Sequence, residues 1–159
     1  MLPLIHHRVP DVSLAIVGRR PGRKVVQLGH SWPQILVTGR VEDVRPFLAE
    51  GAVFIVPLRI GGGTRIKVFE AMASGIPVVS TSIGAEGLQV EHGHNILLAD
   101  TPAAFAEAVT RLLESPATAQ RMAAAAKSLV TENNDWSIVS RQFAEICRKT
   151  TLRQQGACK

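Results

Sequence analysis

The sequence lacks the features that mark membrane-spanning, disulfide-stabilised and disordered proteins. No apolar run approaches the roughly 18 residues that a membrane-spanning helix needs. The two cysteines, Cys147 and Cys158, both lie near the carboxyl end, which excludes a disulfide framework and suits a reducing, cytoplasmic compartment. Charged residues make up only 19% of the chain, fewer than a disordered chain carries. One globular domain is therefore expected from the 159 residues.

Aromatic side chains are also scarce, at 4% with no tyrosine, although the net charge is +5. The positive excess lies in residues 1–67, with ten Lys/Arg against four Asp/Glu, whereas residues 68–159 hold eight against nine. This distribution suits an anionic ligand in the first part, but charge alone favours a solvated basic face. Since single-stranded nucleic acid is bound largely by aromatic stacking, and no zinc motif or DNA-reading helix is visible, we expect no nucleic-acid partner.

Short apolar runs alternate with helix-like stretches along the first two thirds of the chain. Strands are predicted at residues 13–17, 34–38, 53–56, 76–80 and 95–98, with helices at 21–28, 43–49 and 64–74 between the first four. The strand residues are apolar at consecutive positions, which is typical of strands buried on both faces of a parallel sheet. The sequence thus predicts an α/β, Rossmann-like fold with helices on both faces of the sheet.

The last third is predicted to be helical. Thr101-Pro102 and Ser115-Pro116 each place a capping residue before a proline, which is typical of a helix start. A third helix is expected from about Asp135, with Cys147 on its packing face. We expect residues 1–150 to form the domain and residues 151–159 to be a disordered tail.

Basic residues follow three of the predicted strands directly. The strand ends read Gly18-Arg19-Arg20, Gly39-Arg40 and Pro57-Leu58-Arg59. Any single arginine is better explained as a surface residue. Because the carboxyl ends of parallel strands meet at one edge, however, the arginines together predict a positively charged cleft there.

A glycine-rich segment before the third helix is the densest motif. It comprises Gly61, Gly62 and Gly63, followed by Thr64, Arg65 and Lys67. Glycines allow a ligand to approach the backbone, and the free N–H groups of a helix start attract phosphate. The segment matches neither the Walker loop nor the Gly-x-Gly-x-x-Gly dinucleotide motif.

Glu70 lies three residues after Lys67 on the same predicted helix. This spacing fits an exposed ion pair between the two side chains. It fits equally a carboxylate that accepts hydrogen bonds from ribose hydroxyls. Both interpretations stay open on spacing alone.

The segment 58–87, LRIGGGTRIKVFEAMASGIPVVSTSIGAEG, resembles the donor-binding signature of the GT-B glycosyltransferases, in their retaining group 1 branch. Segments 14–18 (LAIVG) and 37–41 (VTGRV) resemble the same family, so the resemblance covers roughly residues 4–148. It implies the nucleotide-sugar-binding half of a two-domain enzyme, with a UDP- or GDP-linked donor and no metal or other cofactor.

The resemblance also implies roles for individual residues. Glu70 would hold the ribose, and Lys67 and Arg65 would face the diphosphate and sugar together with the backbone of residues 61–64. The segment Gly39-Arg40-Val41 would lie along the base. The predicted nucleotide-sugar site comprises these residues and the other basic turns, namely Gly18, Arg19, Gly39, Arg40, Arg59, Gly61, Gly62, Gly63, Thr64, Arg65, Lys67 and Glu70. No catalytic residue is predicted.

The sequence departs from the family pattern in three respects. Gly62 stands where the family often has a glutamate that holds the donor sugar. The family's first strand with its basic loop, and its amino-terminal acceptor domain, have no counterpart in the chain. We therefore expect a fragment that is inactive in sugar transfer by itself, with an exposed sheet edge that favours self-association. The full enzyme is a candidate for peripheral membrane contact. The alternative is a noncatalytic nucleotide-binding or interaction module on the same fold.

Overall fold

The computed structural model describes residues 1–61, 63, 65–133, 140, 144–145 and 147–148. Within these residues, helices and strands alternate as far as residue 80, a short strand follows at residues 97–98, and the later part is helical. In chain order the elements are α1 (Leu2–Arg8), β1 (Leu14–Val17), α2 (Arg23–Ser31), β2 (Ile35–Gly39), α3 (Arg45–Glu50), β3 (Phe54–Val56), α4 (Ile66–Ala73), β4 (Val78–Ser80), β5 (Leu97–Leu98), α5 (Pro102–Glu114) and α6 (Pro116–Asn133).

All paired strands are parallel, as predicted, but the described residues form two sheets. β1 pairs with β2, and β4 lies between β3 and β5. Only β4 is buried along its whole length, whereas β1 and β3 are largely half-buried. The expectation that all these strands are buried on both faces is therefore wrong for β1, β2 and β3, because each has, among the described residues, a hydrogen-bonded neighbour on one side only.

Helices cover both faces of β4, which confirms the predicted layering. Val79 packs into a first core cluster with Ile5 of α1 and Phe105 of α5. Val78 points to the opposite face, into a second core cluster that includes Met72 of α4 and Ala126 of α6. Adjacent residues of one strand thus hold the two helical layers together.

Two predicted helix boundaries rest on local hydrogen bonds and are confirmed. The Thr101 hydroxyl accepts a hydrogen bond from the Ala104 N–H at the start of α5. At the end of α4, Gly75 has φ +75°, its N–H donates to the Met72 carbonyl, and the Ile76 N–H donates to the Ala71 carbonyl. This pair of bonds requires a left-handed residue, which glycine supplies at little cost.

Other boundaries differ from the prediction. α4 begins at Ile66, so Arg65 lies at its N-cap and not in its first turn. α3 begins at Arg45, after Asp43, whose carboxylate accepts from the Arg45 N–H. The predicted third carboxyl-terminal helix and the tail lie mainly outside the described residues, but Cys147 is exposed, so its expected packing role is wrong.

The carboxyl ends of β4 and β5 are joined by side-chain bonds. The N–H and hydroxyl of Ser82 both donate to the Asp100 carboxylate, each at 2.7 Å. These two donors, the hydroxyl first, hold the pKa of Asp100 below its ordinary value. Asp100 therefore stabilises the fold when ionised.

We predict that Gly75→Ala lowers the free energy of unfolding by about 1–2 kcal/mol, because an alanine must adopt the left-handed conformation there. An added Cβ would meet no atom within 4 Å, so the cost is conformational. The matched control is Gly22→Ala, at an equally open site with φ −64°. Urea unfolding of both variants tests the prediction, and equal effects would contradict it.

We predict that Asp100→Asn destabilises the protein near neutral pH and that the difference disappears in acid. The folded-state pKa of Asp100 is lowered, so its contribution is complete above the unfolded value of about 3.9 and is lost as the pH falls through the folded value. Urea unfolding at pH 7, 5 and 3 measures this, with exposed Glu107→Gln as control. A deficit that persists unchanged at pH 3 would rule out the ionic contribution.

Candidate functional site

The carboxyl ends of β1 and β2 bring two of the predicted basic turns together. The Gly18 N–H donates to the Gly39 carbonyl at 3.2 Å, and Gly39 has φ +69°. Arg19 and Arg40, which follow these two glycines, are both exposed. The structure therefore confirms that the two arginines lie at one edge of the sheet.

The glycine-rich loop follows β3 at the corresponding edge of the second sheet. Gly63 has φ +90°, a conformation that favours glycine, while Gly62 and Thr64 lie outside the described residues. Arg59 is exposed, and the side chain of Ile60 is 91% exposed. The loop thus presents both basic and aliphatic side chains to solvent.

Arg65 is directed inward. Its side chain is only 8% exposed, and its Nη2 atom donates to the carbonyls of Gly61 at 3.1 Å and Ile83 at 2.7 Å. The Glu86 carboxylate lies 3.8 Å from the same nitrogen. Arg65 thus fastens the glycine-rich loop to the turn after β4.

Lys67 and Glu70 face solvent on α4 and form an ion pair with 2.7 Å between Nζ and Oε2. The exposed-pair interpretation of their spacing is therefore realised. Such a pair contributes little to stability, since both groups are well solvated. A ribose-binding role for Glu70 stays a prediction.

Thr81 was missed by the sequence analysis, although it fixes the loop after β3. Its hydroxyl donates to the Leu58 carbonyl and accepts from the Gly84 N–H. Gly84 packs so closely that an added Cβ would lie 2.4 Å from the Ser80 hydroxyl and 3.0 Å from the Val56 carbonyl oxygen. This turn therefore admits only glycine at position 84 without rearrangement.

The turns that follow the carboxyl ends of the strands are called the rim below. Asp100 and Ser82 belong to it and were missed by the sequence analysis. The signal that could have found Asp100 is its position just after β5, since residues that follow parallel strands gather at one edge. Its partner Ser82 lies 18 residues away and has no local signature.

The basic residues of the predicted site thus fall into two groups, those whose side chains face solvent and one whose side chain faces the protein interior. Arg19, Arg40, Arg59 and Lys67 are exposed cations, whereas Arg65 bonds to backbone carbonyls. Two exposed cations, Arg59 and Lys67, beside a glycine-rich loop suit an anionic ligand, and Arg19 and Arg40 form a second basic edge on the other sheet. Among the described residues, no cluster of three or more His, Cys, Asp or Glu could hold a metal ion. In that part of the chain, no helix is both long and apolar enough to cross a membrane.

Several curated relatives are named as sugar-transfer enzymes. The chain is 31% identical over 150 residues to a phosphatidyl-myo-inositol mannosyltransferase of Mycobacterium leprae, covering 91% of this chain and 40% of the relative. It is 30% identical over 161 residues to a GDP-mannose-dependent alpha-(1-6)-phosphatidylinositol monomannoside mannosyltransferase of Mycobacterium tuberculosis, covering 92% and 42%. The chain therefore spans about two fifths of the length of these relatives.

Solved structures share the fold at low sequence identity. Anabaena HepE, in complex with UDP, superimposes with a TM-score of 0.78 at 19% identity over 92% of this chain and 44% of HepE. The carboxyl-terminal domain of a group 1 glycosyltransferase from Francisella tularensis gives 0.66 at 19% identity over 81% of this chain and 75% of that domain. The Rossmann-like architecture predicted from the sequence is thereby confirmed as that of GT-B glycosyltransferases.

The family model described as "Glycosyl transferases group 1" matches residues 1–115, which include both sheets, the glycine-rich loop and the basic turns. With this match and the mannosyltransferase relatives, the chain belongs to the group 1 glycosyltransferase family.

Proposed function

We propose that the chain is the donor-binding domain of a retaining glycosyltransferase and holds a UDP- or GDP-linked sugar at the rim. The observation that carries this proposal is the glycine-rich loop, with Gly63 at φ +90°, opening into α4 beside exposed cations. The names of relatives support a nucleotide donor, since HepE was solved with UDP and a mannosyltransferase relative is GDP-mannose-dependent.

The rim offers different chemistry along its length. We assign the base to the turn at Gly39 and Arg40, and the diphosphate and sugar to Lys67 and the backbone around Gly63. Arg19 and Arg59, which are exposed, add positive charge. Arg65 would act through the loop that it fastens, because its donors already meet the Gly61 and Ile83 carbonyls. These cations would neutralise the diphosphate without a metal ion.

Glu70 is the residue for which the proposal makes the sharpest claim. Its Oε2 atom already accepts from Lys67, so a ribose would have to bond the remaining lone pairs of the carboxylate or displace the ammonium. In the first case Lys67 keeps its bond to Glu70, and in the second the displaced ammonium would pair with the diphosphate. The ion pair and the nucleotide role are therefore compatible on one helix turn.

Transfer itself requires more than the rim. An acceptor must be held against the donor carbon, and this positioning supplies a large share of the rate. The chain spans about two fifths of its curated relatives, so we assign the acceptor wall to a second domain of the whole enzyme. Binding without transfer after such a domain is supplied would favour the noncatalytic alternative.

The remaining expectations about the whole protein stay predictions. These are a cytoplasmic location, the absence of a nucleic-acid partner, and peripheral membrane contact of the full enzyme. The relatives named for phosphatidylinositol acceptors favour a lipid-linked acceptor for the complete enzyme.

We predict that the chain binds UDP or GDP with EDTA present and that Glu70→Ala weakens the binding roughly 10- to 150-fold. The expected loss is that of a charged hydrogen bond, about 1.5–3 kcal/mol. Titration calorimetry with each nucleotide is the measurement. Exposed Glu107→Ala is the control, and it should leave both affinity and stability unchanged.

Failure has two forms in this experiment. If the folded chain binds neither nucleotide, the proposed function is wrong. If Glu70→Ala binds as tightly as the parent, Glu70 is only the surface partner of Lys67. Thermal unfolding of each variant is the check that the protein stays folded. We expect little change in the midpoint, because an exposed ion pair contributes little to the free energy of unfolding.

We predict that the chain alone does not transfer sugar, although trace hydrolysis of the donor is compatible with retained donor contacts. Incubation with UDP- and GDP-sugars and with lipid or sugar acceptors, followed by mass spectrometry, is the measurement. Lys67→Ala is the comparison variant. Transfer by the parent that Lys67→Ala abolishes would mean that the chain forms a complete active cleft.

A further inference from the structure

The turn after β4 carries an exposed carboxylate to which the proposed donor site gives no role. The side chain of Glu86 is 73% exposed, and the Arg65 Nη2 atom lies 3.8 Å from its Oε2 atom. This distance is too long for a hydrogen bond. Among the described residues, neither oxygen of Glu86 accepts a hydrogen bond, so both can accept from a ligand.

Two other carboxylates beside the rim are already engaged. Both oxygens of Asp100 accept from Ser82, and the Oε2 atom of Glu70 accepts from Lys67. The glycine-rich segment itself, residues 59–67, contains no Asp or Glu. Glu86, by contrast, keeps all of its acceptor sites open beside this segment.

The backbone that carries Glu86 is ordered by short-range hydrogen bonds. The Ala85 N–H donates to the Thr81 carbonyl at 3.1 Å. The Glu86 N–H donates to the Ile83 carbonyl at 3.3 Å, and Ala85 is buried. When Glu86 binds a ligand, only its side-chain rotation has to be restricted, so the entropic cost of binding is small.

Arg65 brings this turn close to the glycine-rich loop. Its Nη2 atom donates to the Gly61 carbonyl at 3.1 Å and lies 3.8 Å from the Glu86 carboxylate, so both groups flank one nitrogen. A ligand that lies against the loop therefore comes near Glu86. The guanidinium also offsets the repulsion that this carboxylate would exert on a diphosphate.

Aliphatic side chains adjoin the same place. Leu58 and Ile83 are both exposed. The Leu58 Cδ1 atom lies 3.7 Å from the position that a Cβ on Gly61 would occupy, and the Ile83 carbonyl accepts from Arg65 at 2.7 Å. A pyranose ring has apolar C–H faces and hydroxyl groups around its edge. A carboxylate beside aliphatic side chains therefore suits a sugar better than a further phosphate group.

We propose that Glu86 is a specificity-determining residue that accepts hydrogen bonds from the hydroxyl groups of the donor sugar. This inference rests on the proposed function, which assigns the diphosphate and sugar to Lys67 and the backbone around Gly63. Hydrogen bonds from hydroxyls to a carboxylate are charge-assisted and stronger than those between neutral groups. Glu86 therefore favours the nucleotide-sugar and contributes nothing to the binding of the free nucleotide.

Titration calorimetry with EDTA present tests this inference by comparing each nucleotide-sugar with its own nucleoside diphosphate. The probes are UDP-glucose, UDP-N-acetylglucosamine and GDP-mannose, with UDP and GDP as references. Glu86→Ala should weaken the binding of the nucleotide-sugar that the parent prefers about 10-fold or more, as expected for a lost charged hydrogen bond. Its affinity for the matching diphosphate should not fall, because the substitution removes a negative charge near the phosphates.

Two further variants complete the comparison. Glu86→Gln keeps one acceptor oxygen without the charge, so it should lose less affinity for the nucleotide-sugar than Glu86→Ala. Exposed Glu107→Ala, on α5, is the matched control and should change neither affinity. Each variant should unfold at the temperature of the parent, since the side chain of Glu86 is exposed.

The outcomes separate this inference from the proposed function. If Glu86→Ala weakens the diphosphate as much as the nucleotide-sugar, Glu86 acts on the fold of the rim and the inference is wrong. It is equally wrong if the variant binds every nucleotide-sugar as the parent does, or if the parent binds UDP or GDP but none of the nucleotide-sugars. The proposed donor site would survive the first two results. A folded parent that binds neither diphosphate nor nucleotide-sugar would overturn both.

Discussion

The fold depends on the burial of β4 from both sides. Val78 and Val79 point in opposite directions, and neither is exposed to solvent. Each helical layer therefore packs against one face of this strand. Because β4 also hydrogen-bonds to β3 and β5, it fixes their register and hence the position of their carboxyl ends. The turns after β3, β4 and β5 therefore gather at one edge, and the rim of the candidate site follows from the position of this strand.

The rim is rigidified by polar groups that bond to the backbone. Thr81 holds the Leu58 carbonyl, Arg65 holds the Gly61 and Ile83 carbonyls, and Asp100 holds the N–H of Ser82. A loop with three glycines would otherwise lose much conformational entropy on binding a ligand. Fastening the residues on both flanks in advance reduces that cost, because Leu58, Gly61 and Ile83 already have bonded partners before a ligand binds.

The sequence was sufficient for several features that depend on neighbouring residues. The glycine at position 75 and the Thr101-Pro102 pair each determine a helix end through bonds within a few residues, and both were predicted. The alternation of strands and helices follows from local hydrophobicity in the same way. The family signature added the proposed roles of Lys67 and Glu70, which spacing alone left open.

Features that depend on distant residues were not accessible. Whether Arg65 faces a ligand or the Ile83 carbonyl is decided by a contact 18 residues away, and the Ser82–Asp100 bonds span the same separation. The apolar character of β1 and β3 indicates the burial that these strands can accept, but not whether a neighbour supplies it. Their half-buried state therefore could not be derived from composition.

The division into two sheets has a mechanical consequence for the rim. Arg19 and Arg40 stand on one sheet and the glycine-rich loop on the other, and no described ladder connects them. Among the described residues, the two halves are connected by side-chain packing on the first core cluster, against which Val12 before β1 and Val53 and Ile55 at β3 pack, and not by a row of backbone hydrogen bonds. A molecule that touches a single half would be indifferent to this connection. A ligand long enough to contact both halves would restrict their relative movement, and this restriction would reduce its net binding free energy.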